Sequence, residues 1–269
     1  MNLKDRVAVI TGAGGGIGRA MAQSLAHRGC HLALADVNAD GLRQSAELIE
    51  ASGVRVSQHV LDVASREQVA ALPASVLAAH GRVDVLINNA GVAVGGSFEQ
   101  VSEADFDWLM EINFHGLVRM TRTFLPLLRA RDAARIVNIS SLFGLIAPPG
   151  QTAYSASKFA VRGFSNALRH ELAGSTVGVT VAHPGGVATA IASNARVPAG
   201  ASPSEVKKRL ALTEKLLRMP AANAGEIIVA GVERERERIL VGMDAKIASL
   251  VERLSPVNYW RFLGRRMPS

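Results

Sequence analysis

Val7-Ala8-Val9-Ile10-Thr11-Gly12-Ala13-Gly14-Gly15-Gly16-Ile17-Gly18 decides the fold of this 269-residue chain. A short apolar run bounded by glycines reads as a buried strand ending in a turn, and the helix-like segment from Ile17 to Arg28 follows it. His31-Leu32-Ala33-Leu34-Ala35-Asp36 is a second apolar run, so residues 7–36 form a strand, helix, strand unit.

The alternation continues outward. Apolar runs recur at 54–60, 83–87, 136–139, 177–182 and 238–242, with helical segments between them. Strands apolar on both faces suit a parallel sheet covered on both sides. The expected fold is therefore α/β: a single-domain, doubly wound parallel sheet of about seven strands with helices on both faces, of Rossmann type. Residues 1–242 read as this domain, including an irregular segment at 191–220 with the character of a substrate lid. Residues 243–269 read as a C-terminal helical extension packed on the same domain.

Composition narrows the possibilities. Hydrophobic residues make up 48% of the chain and charged residues 20%, enough apolar material for a sizeable core. The formal net charge of +7 suits a protein that binds a phosphorylated ligand. With 4% aromatic residues, no compact Lys/Arg run and no groove-reading motif, no nucleic-acid partner is expected. A lone Cys30 excludes an internal disulfide framework and suits a reducing compartment. The seven histidines lack metal-site spacing, so no metal is expected. Met1 to Arg6 contain no apolar leader and no run reaches a membrane span, which makes cytoplasmic the expected localisation.

A glycine loop between a strand and a helix brings backbone N–H groups and the helix N-terminus to a pyrophosphate. Thr11, Gly12, Gly14, Gly15, Gly16, Ile17 and Gly18 form that loop, with the Thr11 hydroxyl expected to hold the turn. Asp36 ends the second strand 18 residues after Gly18, where a carboxylate accepts ribose hydroxyls and repels a 2′-phosphate. Gly15 offers no basic side chain, although Arg19 could meet a phosphate, so NAD is favoured over NADP. Asp62, ending the third strand, is a candidate for the adenine amino group or a cap for the following helix. Further along, Tyr154 and Lys158 stand four apart in Tyr154-Ser155-Ala156-Ser157-Lys158. On a helix they share a face, and the cation would favour phenolate over phenol, making Tyr154 a candidate general acid/base. Alone the spacing is weak; beside a dinucleotide loop it is not.

The glycine loop, Asn88-Asn89-Ala90-Gly91, the Ser141 region, Tyr154 with Lys158, and Pro184-Gly185 together resemble the short-chain dehydrogenase/reductase family over residues 5 to about 242. The resemblance implies a catalytic set of Asn113, Ser141, Tyr154 and Lys158. Tyr154 would pass a proton to or from the substrate oxygen while a hydride moves between substrate and nicotinamide. Lys158 would lower the tyrosine pKa and hold the nicotinamide ribose. Ser141, 13 residues before Tyr154, would hold the substrate oxygen, and Asn113 would support a proton relay. Ser140 is left as a plain strand-end residue. Cofactor contacts are implied for Val63, Asn89, Ala90, Gly91, Pro184, Gly185, Val187 and Thr189, and Asn88 would join neighbouring strands.

The chain departs from that family beyond the final strand, where Asn258-Tyr259-Trp260-Arg261-Phe262 carries aromatics beside arginine. Packing on its own domain or a neighbouring subunit is the first expectation for this tail, with peripheral membrane contact through 251–269 as the alternative. The family resemblance implies a homodimer or homotetramer. Leu142, Phe143, Leu145, Ile146, Pro148 and Pro149 on one side, with Val92, Val94 and the 191–220 segment on the other, suggest apolar walls. The expected substrate is a small apolar alcohol or ketone. An NADP-dependent ketoreductase and a dinucleotide-binding protein without turnover are the competing readings.

Overall fold

In the computed structural model, which describes residues 1–264, strands β1 (Val7–Thr11), β2 (His31–Asp36), β3 (Val56–Val60), β4 (Val85–Asn88), β5 (Ala134–Ile139) and β6 (Val177–Pro184) alternate with helices. These are α1 (Gly16–Ala26), α2 (Ala39–Glu47), α3 (Arg66–His80), α4 (Glu103–Met110), α5 (Leu117–Arg129) and α6 (Thr152–Glu171). After β6, β7 (Val187–Ala188) leads out to α7 (Pro203–Leu216) and β8 (Met219–Pro220) leads back. Helix α8 (Ala221–Glu233), β9 (Arg238–Val241), α9 (Met243–Leu254) and α10 (Tyr259–Leu263) follow.

Seven strands form one parallel sheet in the order β3-β2-β1-β4-β5-β6-β9. Successive strand residues point to opposite faces. Thus Ala8, Ile10, Val85 and Ile87 pack with Met21 and Leu25 of α1 and with Ile228 and Val232 of α8. Val9, Leu86 and Ile136 pack the other way, against Val69 and Leu72 of α3, Phe124 of α5 and Leu168 of α6. Strands β1, β4 and β5 are buried along their whole length, which is why apolar residues dominate them; the edge strand β3 is mixed.

Strand order reverses at β1, which has β2 on one side and β4 on the other. Ligands of open α/β sheets bind outside the carboxyl ends of the strands at such a switch point. The glycine loop after β1 and Asn89-Ala90-Gly91 after β4 both open there.

Two later segments border the same end. The 191–220 segment has its feet zipped together as a short ladder, Val187 opposite Met219 and Ala188 opposite Pro220. The described part of the C-terminal extension lies on the body of the domain: Ala245, Ala248, Tyr259, Trp260 and Leu263 pack against Leu142 and Ile146. Residues 265–269, part of the stretch considered for membrane contact, lie outside the described residues. No helix among the described residues is long and apolar enough to cross a membrane, and no group of three His, Cys, Asp or Glu there could hold a metal ion.

Candidate active site

Gly12 and Gly16 adopt φ of +68° and +52°, a backbone that side chains disfavour. A Cβ on Gly12 would sit 2.8 Å from Asn89 Nδ2, and one on Gly18 would collide with the Gly12 carbonyl oxygen. Thr11 works differently from expectation. Its Oγ1 accepts the Asn89 and Ala90 N–H groups at 3.0 and 3.1 Å, while Asn89 Nδ2 donates to the Thr11 and Gly12 carbonyls at 3.0 and 3.1 Å. The hydroxyl therefore ties the loop after β1 to the loop after β4 instead of holding its own turn. Helix α1 begins at Gly16 without a side-chain cap, leaving its first N–H groups to an outside acceptor.

Asp36 stands beside this loop. One carboxylate oxygen accepts the Gly14 N–H at 2.8 Å and the other the Asn38 N–H at 2.9 Å, and each keeps a further lone pair. Arg19, the cation considered for a 2′-phosphate, is engaged elsewhere: Nε donates to Ser45 Oγ at 2.9 Å and Nη2 to the Gly14 carbonyl at 2.6 Å. Asp62 does not cap α3, because Ser65 does; it accepts the Ala64 N–H at 2.8 Å in a local turn. Val63 is buried beneath it, against Gly116.

The four catalytic candidates converge. Tyr154 and Lys158 lie one turn apart on α6, with Nζ 5.7 Å from the phenol ring centroid. Lys158 Nζ donates to the Ile139 carbonyl at 3.2 Å. Ser141, extended at the end of β5, hydrogen-bonds the Tyr154 side chain and accepts the Phe143 N–H at 3.1 Å. Asn113 lies in a π-helical stretch, Glu111–Gly116, of the kind that recurs at functional sites. Its Oδ1 accepts the Val92 N–H at 2.8 Å and its Nδ2 donates to Ser157 Oγ at 3.1 Å. A Cβ on Gly91 would come within 3.2 Å of Asn113 Oδ1 and 3.3 Å of Lys158 Nζ, so this glycine lets both polar heads reach one spot.

Burial governs the electrostatics. It pushes the Tyr154 phenol up, with the Ser141 hydrogen bond pulling it back, and it pushes the Lys158 ammonium down to about 8. A site that disfavours both charges makes each group responsive to a further charge brought beside it.

Several contributors escaped the sequence. Ser140, taken as a plain strand-end residue, donates to the Lys158 carbonyl at 2.8 Å, and a Cβ on Gly144 would collide with that hydroxyl. Buried His183 hydrogen-bonds the Ser141 carbonyl through Nδ1 at 3.0 Å; burial pushes its pKa to about 3, so it is a neutral donor. Both are single polar residues at strand ends, a pattern too common to signal anything. Asn88 matches expectation, donating to Thr121 and Asn138 at 3.0 and 2.9 Å.

The Pro184-Gly185 segment runs beside the glycine loop: the Thr189 methyl would meet a Cβ on Gly16 at 3.2 Å. Val187 is buried in β7. The apolar walls are only partly as expected. Leu142, Leu145 and Ile146 are buried, the first and last of them against the C-terminal extension, and Phe143 alone of the four turns to Tyr154, edge-on at 6.2 Å between centroids. Opposite, Val92, Val94 and Trp108 cluster with Tyr154, and Arg196 lies 3.5 Å over the Trp108 ring.

A dinucleotide fits this crevice: the glycines leave the space its phosphates need, Asp36 keeps free acceptor sites, and Gly91 opens the way to Lys158. A family model described as short chain dehydrogenase matches residues 6–199. The chain is 43% identical to the SadH protein of Mycobacterium tuberculosis over 268 residues, covering 97% of this chain and 95% of that one. Its fold is similar to a short chain dehydrogenase/reductase from Burkholderia phymatum in complex with NAD, with a TM-score of 0.88, 32% identity and 95% coverage of each chain. A metagenomic short-chain oxidoreductase in complex with NADP is also similar, at a TM-score of 0.72 and 29% identity, with 90% of this chain and 98% of that one covered.

Proposed function

The chain is an oxidoreductase belonging to the short-chain dehydrogenase/reductase family, and from that premise we propose that it interconverts a secondary alcohol and a ketone on an apolar substrate, with NAD(H) as cofactor. The observation that carries this reading is the meeting of Ser141, Tyr154, Lys158 and Asn113 at the mouth of the glycine-lined crevice.

When bound, the nicotinamide supplies the acceptor or donor of the hydride. Everything else falls to the chain. Tyr154 Oη takes the hydroxyl proton in oxidation and returns one in reduction. Ser141 Oγ donates to the substrate oxygen as negative charge develops there, a preorganised donor in a partly buried site. Lys158, still mostly protonated at neutral pH with its pKa near 8, supports the phenolate by its charge. Asn113 holds Val92 and Ser157, and so the walls on both sides of the reacting oxygen.

Two features support NAD over NADP. The Asp36 carboxylate is set where a 2′-phosphate would need a cation, and Arg19 is turned into the loop backbone. Phe143, Val92 and Val94 support an apolar substrate. The test is a panel of apolar secondary alcohols, their ketones and polyols with NAD and with NADP, following nicotinamide absorbance, with Tyr154→Phe as the inactive control. Turnover of polyols alone would overturn the substrate class; tight NADH binding without any turnover would leave a dinucleotide-binding protein.

A further inference from the structure

Asp244, in the first turn of α9, sits in a cradle of three glycines. A Cβ on Gly185 or Gly242 would collide with its carboxylate, and one on Gly186 would come within 3.5 Å. Its Oδ2 accepts the Gly186 N–H at 2.6 Å, and its Oδ1 accepts the N–H of Ala245 at 2.9 Å. The other side of the same residue is also held: the Gly186 carbonyl accepts the Arg218 and Met219 N–H groups at 3.0 Å each. Gly186 is therefore clamped between the C-terminal extension and the returning foot of the 191–220 segment. The loop it anchors ends at Thr189, against Gly16 of the glycine loop.

The same extension grips a second loop. Tyr259 Oη accepts the Ala147 N–H at 3.0 Å, and Tyr259, Trp260 and Leu263 pack on Leu142, Phe143 and Ile146. Those residues follow Ser141 directly, and Phe143 touches Tyr154. One stretch of chain thus fastens both the loop that carries Phe143 to Tyr154 and the loop that carries Thr189 to the glycine loop.

The 184–189 loop starts after His183, which is bonded to the Ser141 carbonyl, and ends against Gly16, so it spans from the catalytic serine to the glycine loop. We propose that the C-terminal extension is a bracket for the active site, in which Asp244 positions this loop at the nicotinamide end of the cofactor and Tyr259 positions the 142–149 loop at the substrate end. The proposal rests on the dinucleotide reading above for the identity of the ligand, though not for the bracket itself. A hydrogen bond to a carboxylate strengthens with the charge and shortness seen at Gly186, so its loss should be felt as about a tenfold change in a ligand that needs the loop.

The experiment measures binding of NADH and of ADP-ribose, which lacks the nicotinamide, to the full chain, together with hydrogen exchange of the two loops. Asp244→Ala should weaken NADH about tenfold, leave ADP-ribose unchanged and speed exchange in 185–189. Asp244→Asn, which keeps one acceptor, should fall between and serves alone if the alanine variant does not fold. Tyr259→Phe should speed exchange in 142–149 only and leave NADH binding unchanged. Equal weakening of both ligands, or unchanged exchange, would overturn the bracket. Failure of the unaltered chain to bind NADH would overturn the cofactor reading instead, while the exchange arm would still decide the bracket.

Discussion

The Asp36 carboxylate accepts the Gly14 N–H at 2.8 Å, so the acidic end of β2 and the glycine loop after β1 form one unit. Asp36→Ala should have two effects. Removing the charge should raise kcat/KM with NADP by about tenfold, the scale of one charge-assisted contact, while losing the ribose acceptor lowers it with NAD by a similar factor. Parallel kinetics with the two cofactors check this; an unchanged ratio would remove Asp36 from cofactor choice.

Tyr154→Phe keeps the ring and its edge-on contact with Phe143 but removes the hydroxyl assigned to carry the proton. We expect kcat to fall by about 10²–10⁴, the usual contribution of a positioned acid/base. NADH affinity should stay within about twofold, a change of under 1 kcal/mol. Fluorescence titration separates the two.

Lys158 lowers the stability of the fold to serve the site. Burial moves its pKa from 10.5 to about 8, equivalent to about 3 kcal/mol at about 1.4 kcal/mol per pH unit. The folded protein holds its proton less tightly than the unfolded chain, so this cost is fully present below about pH 8 and disappears as the pH rises to 10.5. Lys158→Met should therefore stabilise the protein by about 1–2 kcal/mol at pH 7, after about 1 kcal/mol for the lost bond to Ile139, while abolishing turnover. Denaturant unfolding at pH 7 and pH 10 should show the gain shrinking; a constant gain would contradict the electrostatic cause.

Arg196 pins the entrance of the 191–220 segment. Its guanidinium stacks on Trp108 and pairs with Asp105 at 2.9 Å, and its backbone bridges Ala93 and Gly95. Asp105 is held below its usual range chiefly by that hydrogen bond. Arg196→Ala should leave Tm within a few degrees, because both partners are partly exposed, yet speed protease cleavage between 197 and 216 several-fold. Time-resolved digestion is the check.

Much of this site is legible in the chain because its chemistry is local. Gly12, Gly16 and Gly18 announce a turn that side chains cannot make, and Tyr154 and Lys158 share a helix face by spacing alone. Ser140, His183 and Asp244 carry no such mark. Each acts through a partner 18, 42 or 58 residues away, Lys158, Ser141 and Gly186 respectively, and only folding brings the pair together. Leu142, Leu145 and Ile146 show the reverse: apolar residues beside a catalytic serine suggest a substrate wall until the packing buries them.

The sequence by itself determined the parallel sheet, the glycine loop and the Tyr154–Lys158 pair, since strand periodicity, glycine geometry and helix spacing are properties of neighbouring residues. What only the tertiary structure decided is how the site is held. Thr11 joins two loops, Arg19 turns inward, and Asp244 and Tyr259 tie the C-terminal extension to the 184–189 and 142–149 loops. Those bonds span distances in sequence over which no periodicity or motif carries information, because a polar side chain finds its partner only once burial has removed water as the alternative.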